Sequence, residues 1–400
     1  MFRKLCSIGA AFGVCASSSA IPPRPVPIKP DFAINLYHEL AKGDGNVFFS
    51  PISIQSALAM TSEGARGETA KQMAGVIQIG DSKAFSQMLS EIQRAPVKDQ
   101  PRMTLTIANA IWAQEAYPFD PAYVALVRKQ FAAEARGLDF AQSEASRQII
   151  NKWVEDKTNN KIKDLIAQGM ITQDTRMVLT NAVYFNADWA SQFKDYATTD
   201  APFMLSDPEA GGKSKTVKMM RQVNKYGYAD AGTHHVVSLR YAGSDQAMVL
   251  MVPKKVNGLA KVEASLTPAS LSKALSGLAS RKIDLSMPRF KIEQSAALGD
   301  VLKKMGMELP FDGEKADFSG MTTAEKLSIS AVVHKAFCKV DENGTEAAAA
   351  TAVLMEATSA PPMEEEKPLE IRADRPFLFA IVDLSSQAVL FMGRVADPGE

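Results

Sequence analysis

Catalysis needs groups that titrate, attack or ligate, and this chain of 400 residues offers four histidines, three cysteines and 45 carboxylates. His38, His234, His235 and His334 form no H-E-x-x-H or comparable metal spacing, and His234-His235 reads as a loop pair. There is no G-x-S-x-G elbow, no glycine-rich phosphate loop and no C-x-x-C pair. "KGDGN" around Gly43 reads as a turn before a strand. Cys338 lies in the apolar alternation "SAVVHKAFCKV", where a thiol packs rather than reacts. Arg94, Lys98 and Arg102 make no dense basic stripe, so a site activated by polyanions is not expected. No catalytic centre, metal or cofactor is expected.

The unusual stretch carries none of these groups. "VDENGTEAAAATAVLMEATS", Val340 to Ser359, holds only Glu346 and Glu356 as charges after its opening turn. Glu, Ala, Leu and Met favour helix. The same run alternates as a strand, with Thr345, Ala347, Ala349, Thr351, Val353 and Met355 on one face. A segment that fits two states is a candidate for using both.

The elements around it are those of an α+β chain. Phe32, Leu36 and Leu40 space one apolar helical face over Asp31 to Leu40. "NVFFSPISIQSALAM" passes from a short strand into a helix with Ser50 as N-cap and Pro51 in the first turn. "RQIINKWVEDKTNNKIKDLI" reads as one amphipathic helix, and "ALGDVLKKMGM" as another. Met177 to Phe185, "QAMVLMVP", "IDLSMPRFKI" and "LSISAVVHKAFCKV" read as strands, and "RPFLFAIVD" with "AVLFMGRVADP" as a closing hairpin. Helices cluster early and strands late without βαβ alternation, which favours α+β. No repeat appears, and no linker after Pro30 divides the chain.

Hydrophobic residues make up 46% and charged residues 22%, a composition that buries an extensive core. The 45 basic and 45 acidic residues cancel, so no global field points to nucleic acid or a membrane surface. Residues 1–20, "MFRKLCSIGAAFGVCASSSA", combine Arg3 and Lys4, a short apolar stretch and Ser18-Ser19-Ala20, and read as a secretory signal. A lipid anchor on Cys15 is the alternative. Residues 21–30, "IPPRPVPIKP", read as an extended spacer. No run approaches the ~20 apolar residues that span a bilayer.

Eight segments in order, "NVFFSPISIQSALAM", "IANAIWAQ", "INKWVEDKTNNKIKDLI", "LTNAVYFNADW", "MPRF", "VVHKAF", "ENGTEAAAAT" and "RPFLFAI...LFMGRVADP", resemble the serpin family of serine-protease inhibitors. The resemblance covers Asp31 to Pro398. It implies one domain over residues 31–400 with a large central mixed sheet, two further sheets and eight to nine helices. It also implies an exposed reactive-centre loop over about 342–370, which inserts into the protein's own sheet. Insertion would trap a serine protease as its covalent acyl-enzyme, the protein acting as a monomer and not as an enzyme. The alternative within the family is a non-inhibitory carrier or chaperone. The signal implies the destination: secreted, or the bacterial periplasm or surface.

The same resemblance assigns roles by position. Glu342, Gly344, Thr345, Glu346, Ala347, Ala348, Ala349, Ala350 and Thr351 form the hinge, small enough to enter a sheet covered on both faces. Gly344 is expected to lend it backbone freedom. The fifteenth residue from the hinge glycine is Thr358, so the reactive bond is Thr358-Ser359. A small residue there suits elastase-like or subtilisin-like pockets. Because "SAPPMEEEKPLEI" is longer than in many relatives, Ala357-Thr358, Met355-Glu356 and Met363-Glu364 remain alternatives. Ser50, Ser53, Asn181 and His334 match a polar cluster beneath the opening sheet, Trp189 the point where insertion begins, and Arg289 the partner of Glu342. "FNADW", where relatives commonly carry Lys-Gly after the Phe, departs from the pattern. Asn343-Gly344-Thr345 is the one N-x-S/T sequon, and a glycan on the hinge would obstruct insertion, so it is expected to be unmodified.

Overall fold

A computed structural model describes residues 29–93, 103–206, 211–345 and 367–399. In chain order the first half runs α1 (Asp31–Leu40), β1 (Val47–Phe49), α2 (Pro51–Ser62), α3 (Gly67–Ile77), α4 (Ser82–Gln93), β2 (Met103–Gln114), α5 (Pro121–Phe131), β3 (Glu134–Leu138), α6 (Ser143–Lys157) and β4 (Met177–Asp188). Next come β5 (Thr199–Met204), β6 (Ser214–Asp230), β7 (His234–Arg240), β8 (Gln246–Pro253), α7 (Leu259–Ser265), α8 (Pro268–Ser276), β9 (Ala279–Pro288), β10 (Phe290–Ala297) and α9 (Gly299–Lys304). The chain closes with β11 (Ala331–Val340), β12 (Gly344–Thr345), β13 (Leu369–Arg372), β14 (Phe377–Asp383) and β15 (Val389–Val395).

The central sheet has the order β10-β11-β12-β4-β2-β3 and is mixed, since β11 lies parallel to β4 and β3 parallel to β2. The remaining strands make one nine-stranded sheet, in which β6, 17 residues long, pairs with β5, β7 and β9 in turn. A helical layer led by α2, buried over almost its whole length, packs behind the central sheet among Leu58, Met60, Leu179 and Met392. A second apolar cluster joins the two sheets through Phe185, Leu239, Phe379, Leu390 and Phe391.

Most expected elements stand where the sequence put them, with three differences. His234-His235, expected in a loop, opens β7, both residues pairing with β8. The helix expected through "RQIINKWVEDKTNNKIKDLI" stops at Lys157, because Asn159 and Asn160 take left-handed φ of 50° and 59°, which asparagine tolerates. "IDLSMPRFKI" is two strands in different sheets, broken at Arg289 between Pro288 and Phe290. Ser50 does cap α2, accepting from the backbone N–H of Ser53 at 3.3 Å. Among the described residues no helix is long and apolar enough to cross a membrane.

Candidate functional site

β11 and β4 are the elements to follow. They pair directly, in parallel, from Ala331↔Val178 to Phe337↔Tyr184. Above that ladder they part, and β12 sits between them. Thr345 lies opposite Val340 of β11 and Ala187 of β4, and Gly344 opposite Asp188, both pairings antiparallel. The central sheet is thus closed below and wedged open above by Gly344 and Thr345 of the predicted hinge.

Gly344 is required here by proximity. A Cβ on it would lie 2.0 Å from the carbonyl oxygen of Ala187 and 2.8 Å from Cα of Asp188. The expectation of backbone freedom is therefore replaced by one of space, as Gly344 shows no positive φ.

Four anchors hold the wedge. Trp189 donates its backbone N–H to Asn343 O at 2.8 Å and its Nε1–H to Asp341 O at 2.9 Å. Phe193 N–H donates to Glu342 O at 3.0 Å. The ring of Trp189 stacks on Tyr241 with centroids 4.8 Å apart, and the Tyr241 hydroxyl lies 2.7 Å from Thr345 Oγ1. Burial pushes the Tyr241 pKa well above 10, so the hydroxyl keeps its proton. Finally Glu342, 3% exposed, accepts from Arg289 Nε at 2.8 Å and from Thr198 Oγ1 at 2.5 Å. Burial alone would raise its pKa; the bonds from Arg289 and Thr198 outweigh burial and hold it below the usual carboxylate value. This pair is a buried carboxylate met by a half-exposed guanidinium, and so differs from a surface ion pair.

The middle of the β11–β4 ladder is polar. His334 and Asn181 are register partners halfway along the parallel ladder. Ser50 N–H donates to His334 Nε2 at 3.1 Å, which leaves the ring proton on Nδ1 to donate to Asn181 Oδ1 at 2.5 Å. Asn181 Nδ2 donates to Ser53 Oγ and to Asn109 Oδ1, each at 2.5 Å, and Asn109 donates to Ser56 Oγ at 3.0 Å. Burial depresses the His334 pKa to about 3, so the ring is neutral at ordinary pH. One network therefore ties β11, β4, β2 and α2 together midway along the β11–β4 ladder.

All four predicted cluster residues meet, as do Glu342, Arg289, Trp189, Gly344 and Thr345. Glu346, Ala347, Ala348, Ala349, Ala350, Thr351, Thr358 and Ser359 lie outside the described residues. Asn109, Ser56 and Tyr241 were missed. Asn109 carried a signal, an amide flanked by apolar residues on both sides in "IANAIWAQ"; Tyr241 carried none, its role arising from a partner 104 residues away. Cys338 is buried in β11.

The central sheet is thus parted at one end, with Gly344 and Thr345 seated in the gap. The chain belongs to the serpin family: the family profile, described as serpin (serine protease inhibitor), matches residues 28–398. It is 38% identical over 378 residues to human leukocyte elastase inhibitor, covering 92% of this chain and 97% of that protein. It is 38% identical over 374 residues to an uncharacterized serpin-like protein of Thermococcus kodakarensis, covering 92% and 84%. Among solved structures, uncleaved ovalbumin superposes with a TM-score of 0.80 at 30% identity over 92% of this chain and 98% of that one. Human thyroxine-binding globulin, solved with thyroxine, gives 0.82 at 29% over 94% and 98%. Family membership makes the chain a protein of the protease-inhibitor class and not an enzyme.

Proposed function

We propose that the chain is a secreted suicide-substrate inhibitor of serine proteases that cleave after small residues, of elastase-like or subtilisin-like type. The observation that carries this reading is β12, already antiparallel to both β11 and β4, so that Gly344 and Thr345 need not move for strand addition to continue. Attack at Thr358-Ser359 would form an acyl-enzyme and free the loop to continue in that register, carrying the protease with it. Insertion exchanges one parallel ladder for two antiparallel ones, the better-paired arrangement. The uninserted protein is on this reading a kinetic trap. Small side chains after Thr345 fit a slot covered on both faces. Residues 1–20 would direct export, and the hinge sequon at Asn343 would stay unglycosylated, since Thr345 is buried within the sheet.

The test is to mix the mature protein with pancreatic elastase and with subtilisin, run a denaturing gel and weigh the small carboxyl-terminal fragment. A complex that survives denaturation, with a fragment beginning at Ser359, is the expected result. Cleavage without a complex and without a gain in thermal stability would leave the carrier reading, which the likeness to thyroxine-binding globulin keeps open.

A further inference from the structure

The chain turns from β11 into β12 through Asp341, Glu342 and Asn343, with bends at Glu342 and Asn343. Asp341 N–H donates to Gly344 O at 3.0 Å, and Asn343 N–H donates to Asp341 Oδ1 at 3.0 Å. A strand residue points its N–H and its C=O to the same side, so the Gly344 nitrogen faces into this turn and not towards β4. Asn343 is half-buried and borders a cavity of about 500 Å³, open to water, together with Arg289, Lys339 and Asp341. Its side-chain amide makes no hydrogen bond among the described residues. An asparagine followed by glycine is the pair in which the next backbone nitrogen reaches the side-chain carbonyl carbon most easily, because no Cβ stands in the way. The chain holds two such pairs, Asn257-Gly258 and Asn343-Gly344. Gly258 N–H already donates to Lys255 O at 3.0 Å and must surrender that bond before its nitrogen can attack.

We propose that Asn343 is a self-modification site, deamidating through Gly344 to isoaspartate, and that this reaction ages the hinge out of its wedged state. The loss of inhibition that follows rests on the inhibitory reading, whereas the modification itself does not. The Gly344 nitrogen attacks Asn343 Cγ, the Cγ–Nδ2 bond breaks, and ammonia leaves carrying the Gly344 proton, which closes a cyclic imide. Water then opens the ring. Addition at Cγ gives aspartate on an unaltered backbone; addition at the main-chain carbonyl carbon gives isoaspartate, whose backbone is one carbon longer. The wedge has no slack for that carbon. A Cβ on Gly344 would already stand 2.0 Å from Ala187 O, while Asn343 O is held by Trp189 N–H and Glu342 O by Phe193 N–H. A longer link must break one of these holds. Both products also set a new carboxylate beside Asp341 and the buried Glu342, which already occupy Lys339 and Arg289.

The test incubates the full mature chain in mildly alkaline buffer and samples it over time. Each sample is read for the mass of the peptides holding Asn343 and Asn257, for isoaspartate labelling by a protein-isoaspartate methyltransferase, for melting temperature, and for the yield of denaturation-resistant complex with elastase and subtilisin. Exchange of NH2 for OH at Asn343 should run ahead of that at Asn257, and the melting temperature should fall with it. For each isoaspartate formed, one molecule should be cleaved instead of forming a complex. Asn343→Gln, whose longer side chain closes its ring far more slowly, should hold its mass, melting temperature and complex yield through the same incubation. Labelling at Asn257 alone, or none at all, would overturn the site. Isoaspartate at Asn343 with an unmoved melting temperature and an undiminished complex would overturn the ageing of the hinge. A fresh chain that forms no complex would overturn the inhibitory reading, and the label and the melting temperature would then decide the modification by themselves.

Discussion

His334 shows at the scale of one residue how the gate is held. Its folded pKa of about 3 lies below the ordinary 6.5, so the native state disfavours the proton that the unfolded chain accepts. The contribution is fully present above pH 6.5 and is lost as pH falls towards 3, at up to ~1.4 kcal/mol per pH unit. Urea midpoints measured from pH 7.5 to 4 should fall accordingly, and His334→Gln should start lower and fall less steeply between pH 6.5 and 5. Tyr241→Phe keeps the stack on Trp189 but strands the buried Thr345 hydroxyl, at a cost of about 1–3 kcal/mol. The same denaturation measurement at pH 7.5 reads it, and an unchanged midpoint would mean that the bond does not hold the hinge.

At the scale of elements the register makes sharper statements. Thr345 is buried at 1% exposure beneath Tyr241, so Thr345→Arg must either expel the wedge or bury a charge. The variant should be cleaved by the target protease with loss of the denaturation-resistant complex, read on a gel. Thr345 lies opposite Ala187 and Val340. Continued six residues in the same antiparallel register, Thr351 falls opposite Asn181 and His334, both six residues back on their strands. The hydroxyl would then take up the bond that the parting strands surrender. Thr351→Val should lower the melting temperature of the cleaved protein more than that of the uncleaved one, and equal shifts would refute the register.

How much of this was legible depended on range. Short-range signals such as the Ser50-Pro51 cap and the strand runs survived into the structure. The length of α6 did not, because its end is set by two asparagines whose backbone angles no apolar period reveals. The split at Arg289 was hidden because a strand that changes sheets keeps its alternation. Asn109, Ser56 and Tyr241 act through partners 53 to 104 residues distant, and only Asn109, an amide flanked by apolar residues, leaves a local mark.

For the whole molecule, the relevant quantity is the difference between the sheet as it stands and the sheet with one more strand. Replacing the β11–β4 ladder by two longer ones adds on the order of ten backbone hydrogen bonds, worth on the order of 10 kcal/mol. Calorimetry of the protein nicked in its loop should therefore show a melting transition well above that of the intact chain, and coincident transitions would exclude insertion. The wedge at Gly344–Thr345 also bears on speed. In a zipper the slow event is the first rung, because it orders several residues for little return, and each later rung is cheap. Here the first rung exists before any protease arrives. On the proposed mechanism, cleavage would have only propagation left to trigger, each step breaking one β11–β4 contact and forming two, with the rate-setting obstacle expected at the His334–Asn181 line, the fourth register from the top of that ladder.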